Sequence, residues 1–500
     1  MGEPHSIVQW FPDKNAQKCG YCNNSSGSVQ NGMWAQSLTV NDYQYLIDRG
    51  WRRSGQYCYK PVMHETCCPL YTIKCNALNF RPSKSQKKVI KKMNKFLHIG
   101  MLKNLDDQKV SEESIIQGQC FLDNYRECPN KNIGLNFLSQ IGSNSDDYCG
   151  MNEEVNLQVK KESISAVPTV GESNDKYDSG SSSKEKYFKK GVGADPNKPP
   201  CIKAKLMRLE NRLKKKGHSS KSMTDSSNFE LGKSLEDFMN ETSVDDKLQL
   251  KTKLIEPSYS LEEWKTYEQL EFDLFKKYQM IIHNDPPYKN TLEGFLRFLV
   301  NTPLKKQGSI GSKLSAANPT YGSYHQQYWL DDKLIAVGVI DILPKCVSAV
   351  YFFYDPDYRE LTLGTFGALK EIQLARELYP TLNTEFYYMG FYIHTCKKMK
   401  YKGNMNPSFL LCPETYKWFP IEKCLQKLES AKYIRFNEDP DATDVDESSP
   451  QHLDNMKIVL GNRYMTYKRY KNHFSKQDNF TNVGKLIGRK CVENIIFFEP

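Results

Sequence analysis

The spacing of apolar residues divides this chain into two patterned blocks separated by a long unpatterned stretch. In the first block, Thr39-Val40-Asn41-Asp42 is a near-capping box that predicts a short helix over residues 42–49, which Gly50 can end. Tyr57-Cys58-Tyr59-Lys60, ahead of Pro61, reads as a short strand. Val89, Ile90, Met93, Phe96 and Leu97 fall at helical spacing and predict a second helix over 83–97. Beyond residue 98 the pattern fades. Segments such as 179–190 and 217–228 are rich in Ser, Lys, Asp and Gly, with too little apolar content to offset ordering entropy. Residues 99–255 are therefore expected to be a largely disordered insertion.

Pattern resumes near Glu256. Ser260-Leu261-Glu262-Glu263 reads as a capping box, and Trp264, Tyr267, Leu270, Leu274, Phe275, Tyr278 and Ile281 mark one face of a long helix. Asp285-Pro286-Pro287 stops it, and a shorter helix is expected over 292–300. Apolar runs over 324–330, 334–343 and 347–354 are separated by the turns Asp331-Asp332 and Pro344-Lys345, which predicts an antiparallel meander. A helix over 361–378 and a strand over 386–393 follow. That strand can return parallel to the last strand of the meander.

Composition adds limits. With 39% hydrophobic and 26% charged residues the chain can bury a sizeable core, while a mean hydropathy of -0.65 agrees with a large unfolded fraction. No run of eighteen apolar residues is present, so no transmembrane helix and no membrane partner are expected. Residues 1–10 lack the basic and apolar regions of a signal peptide. The 15 cysteines are accordingly expected to be mostly reduced thiols in an intracellular, cytoplasmic protein. Residues 212–216 look like a nuclear-localisation patch. The formal charge of +10 permits a polyanionic partner.

Three sets of residues could carry chemistry. The first is Cys19-Gly20-Tyr21-Cys22 with Cys67-Cys68: a CxxC sets two thiolates on one tight turn, a common metal-binding geometry. Cys58, His64 and Cys75 are rival ligands, and a redox pair with buried packing cysteines is the alternative. Thiolates suit zinc and iron–sulfur centres alike. The second set is basic: Lys87, Lys88 and Lys91, with Arg81, Lys84, Lys92 and Lys95, make a positive rim without an acidic residue over 81–95. Such a rim can follow a phosphate backbone or be a solvated helix face. The third lies in the second block. Residues 322–329 concentrate polar side chains at a strand entrance. Tyr354-Asp355-Pro356 meets a helix start whose amides could bind an anion or a carbonyl.

Meander, helix and return strand resemble the acyl-transfer fold of the GCN5-related N-acetyltransferases. The fold class is thus expected to be α+β: a catalytic domain of that type over 256–435, a small cysteine-rich metal or iron–sulfur domain over 1–98, and an acidic loop and extension over 436–500 packing on the catalytic domain. Residues 359–365 lack the glycine pattern of that superfamily's acyl-CoA loop, which favours a donor other than coenzyme A.

Two blocks together resemble the eukaryotic arginyl-tRNA–protein transferases. In the first they are Cys19-Gly20-Tyr21-Cys22, Tyr43 through Trp51-Arg52-Arg53-Ser54-Gly55, and Cys67-Cys68-Pro69. In the second they are Gly322 to Leu330, Ala336-Val337-Gly338-Val339-Ile340-Asp341, Tyr354-Asp355-Pro356-Asp357-Tyr358, Tyr387 to His394, Lys400-Tyr401-Lys402-Gly403 and Leu411-Cys412-Pro413-Glu414. The resemblance implies transfer of arginine from arginyl-tRNA to proteins beginning with Asp, Glu or oxidised Cys, marking them for ubiquitin-dependent degradation in the N-degron pathway. It also implies an iron–sulfur cluster or zinc at Cys19, Cys22, Cys67 and Cys68, with no coenzyme A. On this reading His325, Gln326, Gln327 and Tyr328 line the acceptor site, with Tyr387 and Tyr388 beside the reacting ends. Asp341, Tyr354 and Asp355 are the catalytic candidates. Lys398, Lys400 and Lys402, with Lys87, Lys88 and Lys91, meet tRNA phosphates. A coenzyme-A-dependent N-acetyltransferase and a non-catalytic RNA- or metal-binding adaptor are the rival classes.

Overall fold

The strands of the two blocks are shared between two sheets. A computed structural model describes residues 5–101, 233–241, 246–258, 260–308, 320–474 and 480–499. The expected insertion lies mostly outside the described residues. Its last part is ordered: Leu235–Met239 is a one-turn helix capped by Ser234, and Leu250–Ile255 is a strand.

In chain order the strands are β1 (Ile7–Gln17), β2 (Ser28–Ser37), β3 (Arg52–Ser54), β4 (Tyr57–Pro61), β5 (Tyr71–Asn76), β6 (Leu250–Ile255), β7 (Gly322–Leu330) and β8 (Lys333–Leu343). They continue as β9 (Cys346–Tyr354), β10 (Phe386–Tyr392), β11 (Ser408–Leu411), β12 (Trp418–Pro420), β13 (Lys457–Leu460), β14 (Arg463–Thr466) and β15 (Ile496–Glu499). Among the described residues one sheet runs β14-β13-β15-β1-β2-β4-β3 and the other β12-β11-β5-β10-β9-β8-β7-β6. The molecule is thus mixed α and β, but its sheets do not follow the expected domain boundaries. β5, from the cysteine-rich block, pairs antiparallel with both β10 and β11. β15, from the C-terminal extension, pairs parallel with β1, so the extension joins the sheet of the N-terminal strands.

The meander forms as its turns predict. β7–β8 and β8–β9 are antiparallel, and β10 returns parallel to β9. Side chains alternate across β9. Phe353 lies 5.6 Å from Phe275, edge to face, on the side of helix α3 (Glu262–Ile282), below. Phe352 packs over Gly367 on the side of helix α4 (Leu363–Leu382). Helices therefore cover both faces, which is why β8 and β9 are nearly continuous apolar runs.

Four helices position the parts that matter. α1 (Val40–Ile47) is capped by Thr39, whose side chain accepts from the Asp42 amide. α2 (Lys84–Ile99) opens on the full capping box of Ser83 and Gln86 and ends at Gly100. α3 opens on Leu261 without a side-chain cap; Ser260 bonds the Ser258 hydroxyl at 2.8 Å, so the capping box read at this site does not form. α4 carries Pro380 in its last turn and ends at Asn383.

Candidate active site

A cleft opens where two central strands part. β9 and β10 pair only through Cys346, Val347 and Ser348 against Phe386, Tyr387 and Tyr388. Each strand then shifts register on its other flank, β9 against β8 between Val339 and Ile340, β10 against β5 between Tyr388 and Phe391. Bulges bend and twist the strands that carry them. The second one contains Gly390 at φ 67, a backbone conformation that favours glycine. Lys402 pins it: its Nζ donates to the carbonyls of Met389 at 2.8 Å and Phe391 at 2.9 Å.

The parted strands enclose about 1610 Å³, open solvent included. Ser348 to Phe352 form one edge, Tyr387 and Met389 to Phe391 the other. Gln279 and His283 come from one helix layer; Gly364, Ala368 and Glu371 come from the other. Tyr21, Arg52, Arg53 and Tyr59 close the end beside the cysteine loops, and Tyr401 and Lys402 lie along the wall.

Several of these groups titrate unusually. Burial pushes the Glu371 carboxyl up to about 8, although a hydrogen bond from Tyr387 Oη to its Oε2, at 2.5 Å, opposes the shift. Burial pulls the Lys402 ammonium down to about 7, and the nearby Arg52 charge adds to that. Burial likewise lowers His283 to about 4. Burial works against the Arg53 charge, but Asp341 more than offsets it and the pKa is raised. That pair is bidentate, with Nε to Oδ2 at 2.8 Å and Nη2 to Oδ1 at 2.5 Å, and both side chains are fully enclosed.

The predicted residues divide sharply around this cleft. Tyr387 lines it. Lys402 lines it too, with its ammonium turned inward onto backbone carbonyls, so it is not part of an open phosphate-binding track. Asp341 does not line the cleft; among the described residues it bonds Arg53 and Ser323, whose hydroxyl donates to it at 2.7 Å. The acceptor set lies outside the lining of this cleft. His325 has 0% exposure, with Nδ1 2.5 Å from Glu271 Oε2 and Nε2 3.1 Å from the Leu299 carbonyl. Gln327 donates to Glu271 at 2.7 Å, and Tyr328 donates to Gln326 at 2.9 Å. None of these four lines the cleft: His325 and Gln327 are held by Glu271 of α3, while Gln326 and Tyr328 bond each other on the opposite face, where Tyr328 meets Phe352 edge to face at 5.8 Å. Tyr354 packs edge to face on Tyr278, 5.0 Å away. Asp355 caps the 3₁₀ turn Pro356–Leu361 with its own carboxylate, so the turn read as an anion site is already filled. Tyr388 bonds Asp48 and faces Trp418 instead of the cleft. Of the basic residues, Lys88, Lys91 and Lys400 are exposed, Lys398 is half-buried, and Lys87 lies over the Phe238 ring at 5.0 Å.

The residue that sequence reading missed is Glu371. Its signal was a carboxylate on the apolar stripe of α4, alongside Ala368, Ile372 and Ala375, where burial must shift its proton affinity.

The cysteines do converge. Cys19 and Cys22 sit in the loop after β1, Cys67 and Cys68 in the loop before β5, and their four sulfurs lie within 4.8 Å of one another. A tetrahedral ion with metal–sulfur bonds of about 2.3 Å sets its sulfurs roughly 3.8 Å apart, so this set fits a metal. A Cβ at Gly27 would meet the Cys67 sulfur at 2.4 Å, so the loops close only around a glycine there. Hydrogen bonds from the Asn24 backbone and Cys67 lower the Cys22 thiol to about 7, which eases ligation. Burial pushes Cys67 up to about 12. Cys58, His64 and Cys75, the rival ligands, are not in this cluster.

A strand-parting cleft with titrating groups inside it, beside a four-thiol centre, is a candidate enzyme active site. The comparisons narrow that class. Residues 17–88 match the family described as "Arginine-tRNA-protein transferase, N terminus", and residues 270–412 match its C-terminal counterpart. Arginyl-tRNA–protein transferase 1 of Drosophila melanogaster is 41% identical over 98% of this chain and 99% of its own length. Arginyl-tRNA–protein transferase 2 of Arabidopsis thaliana is 36% identical over 84% of this chain and 76% of its own length. A bacterial aspartate/glutamate leucyltransferase, from Campylobacter jejuni, is 36% identical over 18% of this chain and 35% of its own length. The chain belongs to the arginyl-tRNA–protein transferase family.

Proposed function

We propose that this enzyme transfers arginine from arginyl-tRNA to the α-amine of proteins beginning with Asp, Glu or oxidised Cys, in the cytoplasm and nucleus, and so marks them for ubiquitin-dependent degradation. The observation that carries this is the cleft between the parted strands, in a chain of this family. Meander, helix, parallel return strand and splayed edge together support a fold of the GCN5-related acetyltransferase type. The absence of that superfamily's glycine loop supports tRNA over coenzyme A as the donor.

The neutral amine attacks the ester carbonyl. A carbon–nitrogen bond forms, the bond to the ribose oxygen breaks, and the tRNA leaves with a hydroxyl. The ammonium formed on attack must shed a proton. Glu371, with an affinity near 8, is matched to take it and to return it to the departing ribose oxygen, which completes the hydroxyl. An α-amine has an ordinary pKa of about 7.7–8.0, so positioning supplies much of the remaining acceleration. The exposed Lys88, Lys91 and Lys400 are suited to tRNA phosphates.

Cys19, Cys22, Cys67 and Cys68 would hold zinc or an iron–sulfur centre. Bound there, the group ties together the loop that carries Tyr21 into the cleft and the loop that leads into β5. The sulfur spacing favours a single ion.

The test offers purified enzyme arginyl-tRNA and peptides beginning with Asp, Glu, oxidised Cys or Ala. A gain of one arginine on the first three only, with none when acetyl-CoA replaces arginyl-tRNA, is the expected result. Acetyl transfer, or no turnover on any peptide, overturns the reading.

A further inference from the structure

Two adjacent arginines line the cleft, and they are not in the same electrostatic state. Arg53 is neutralised by Asp341. Arg52 has no carboxylate partner among the described residues. Its Nη1 donates to the carbonyls of Trp51 at 2.7 Å and Ile47 at 3.3 Å, and its Nη2 to that of Gly390 at 3.2 Å. Its Nε is buried without an acceptor among the described residues. The residue is 5% exposed, and its guanidinium lies over the rings of Phe391 and Tyr388 at 5.3 and 6.0 Å. A desolvated guanidinium facing only neutral dipoles and π-faces is under-compensated. The Arg52 charge also lowers the affinity of Lys402 for its proton, so the two cations lie close enough to repel each other.

We propose that Arg52 is the specificity residue for the acceptor: it receives the side-chain carboxylate of the substrate's first residue. This rests on the reading of the enzyme as an arginyltransferase for acidic N-termini. The carboxylate would supply the missing charge. Bound beside Arg52, it would set the acceptor's α-amine in the cleft that also holds Glu371. A tRNA phosphate is the poorer occupant. The phosphate nearest an aminoacyl ester is a ribose away from the reacting carbonyl, and Arg52 is buried with its guanidinium over Phe391 and Tyr388 instead of lying on an open basic track. Lys402 is a lesser candidate: two of its three donors already meet carbonyls and no buried donor of it stands bare, whereas Arg52 keeps an unused Nε–H among the described residues.

The test compares peptides that differ only in beginning with Asp or Asn, on wild-type enzyme and Arg52→Gln. Removing one partner of an enclosed, hydrogen-bonded charge pair should lower kcat/KM for the Asp peptide on the order of 100-fold. The Asn peptide should change by no more than about threefold, so the preference for Asp collapses. The KM for arginyl-tRNA should stay unchanged. A preference for Asp that survives in Arg52→Gln overturns the proposal, as does a rise in the KM for arginyl-tRNA that accounts for the loss. If Arg52→Gln does not fold, Arg52→Lys keeps the charge but loses the fork. It should retain a preference reduced about tenfold, and an unaltered preference in that variant overturns the proposal. A wild-type enzyme inactive on every peptide would instead fail the arginyltransferase reading itself, an outcome this comparison separates from the role of Arg52.

Discussion

Two buried polar clusters flank the central strands, and they are opposite in character. Behind β7, Glu271, His325, Gln327 and Trp329 satisfy one another. Both Glu271 oxygens, both His325 ring nitrogens, and the amide nitrogen and oxygen of Gln327 have partners, the last accepting from Trp329 Nε1 at 2.9 Å. In the cleft, among the described residues, Arg52 Nε has no acceptor and Glu371 is held by one hydroxyl, and burial has moved Glu371 and Lys402 to affinities near neutrality. A closed network specifies a core, because each member costs free energy if its partner is lost. An open one keeps donors, acceptors and protons for something that arrives. Density of polar residues in the sequence does not separate the two; saturation of their hydrogen bonds does.

The sharpest way to break this contrast is Glu371→Gln. Loss of a general base lowers kcat by roughly 10²–10⁴-fold, and the rise of kcat through pH of about 8 should vanish with it. The same substitution changes stability in a stated direction. The carboxyl ordinarily ionises near 4.5, but in the fold only near 8. Between those values the unfolded chain has lost a proton that the folded chain keeps, so stability falls as pH rises through that window. Glu371→Gln should flatten the fall. Thermal melts of both proteins from pH 5 to 9, read beside the pH–rate profile, check both parts. A variant with wild-type kcat removes Glu371 from the chemistry.

The closed cluster should behave in the opposite way. His325→Ala leaves Glu271 enclosed with an unsatisfied oxygen, a loss of about 2–3 kcal/mol in stability. The kcat of the protein that remains folded should stay within about threefold of wild type. A clear drop in Tm with near-normal turnover confirms the cluster as structure. Lost turnover at unchanged Tm would return His325 to the acceptor site.

Much of the fold is legible in the amino-acid sequence, and the failures share a cause. The meander, α2 and α4 follow from local periodicity and turn residues. The CxxC and the adjacent cysteine pair are visible in the spacing, but the rivals Cys58, His64 and Cys75 drop out only in the fold. Strand partners are not legible locally: nothing near Tyr71 announces that β5 will sit between β10 and β11, because that choice depends on chain more than three hundred residues away. Lys402 misled for a related reason. It ends a basic run that also holds Lys397, Lys398 and Lys400, and only the 3₁₀ geometry of Lys397–Asn404 turns it from the surface toward the Gly390 bulge. His325 to Tyr328 looked like a site because polar side chains on a strand are unusual. In the fold His325 and Gln327 satisfy a buried glutamate from α3, while Gln326 and Tyr328 bond each other.

The mildest test concerns Asp355, which the sequence placed among the catalytic candidates. Its carboxylate accepts from the Asp357 amide at 3.1 Å, from Lys277 at 2.6 Å and from Lys333 at 2.8 Å. Burial alone would raise its affinity for a proton, but the two lysines and the amide outweigh it and hold the carboxyl below its usual range. Both lysines are more than a third exposed, so solvent discounts their ion pairs, and the cap is the main contribution. Asp355→Ala should therefore cost about 1 kcal/mol, the ordinary loss for an N-cap. Because the folded affinity is depressed, that contribution is present near neutrality and disappears as pH falls through the folded value, so the Tm gap between wild type and variant should narrow in acid. Arginine transfer should be unchanged. A tenfold loss of kcat at nearly constant Tm would mean that Asp355 reaches the reacting atoms after all, and that a group with every bond satisfied can still belong to the chemistry.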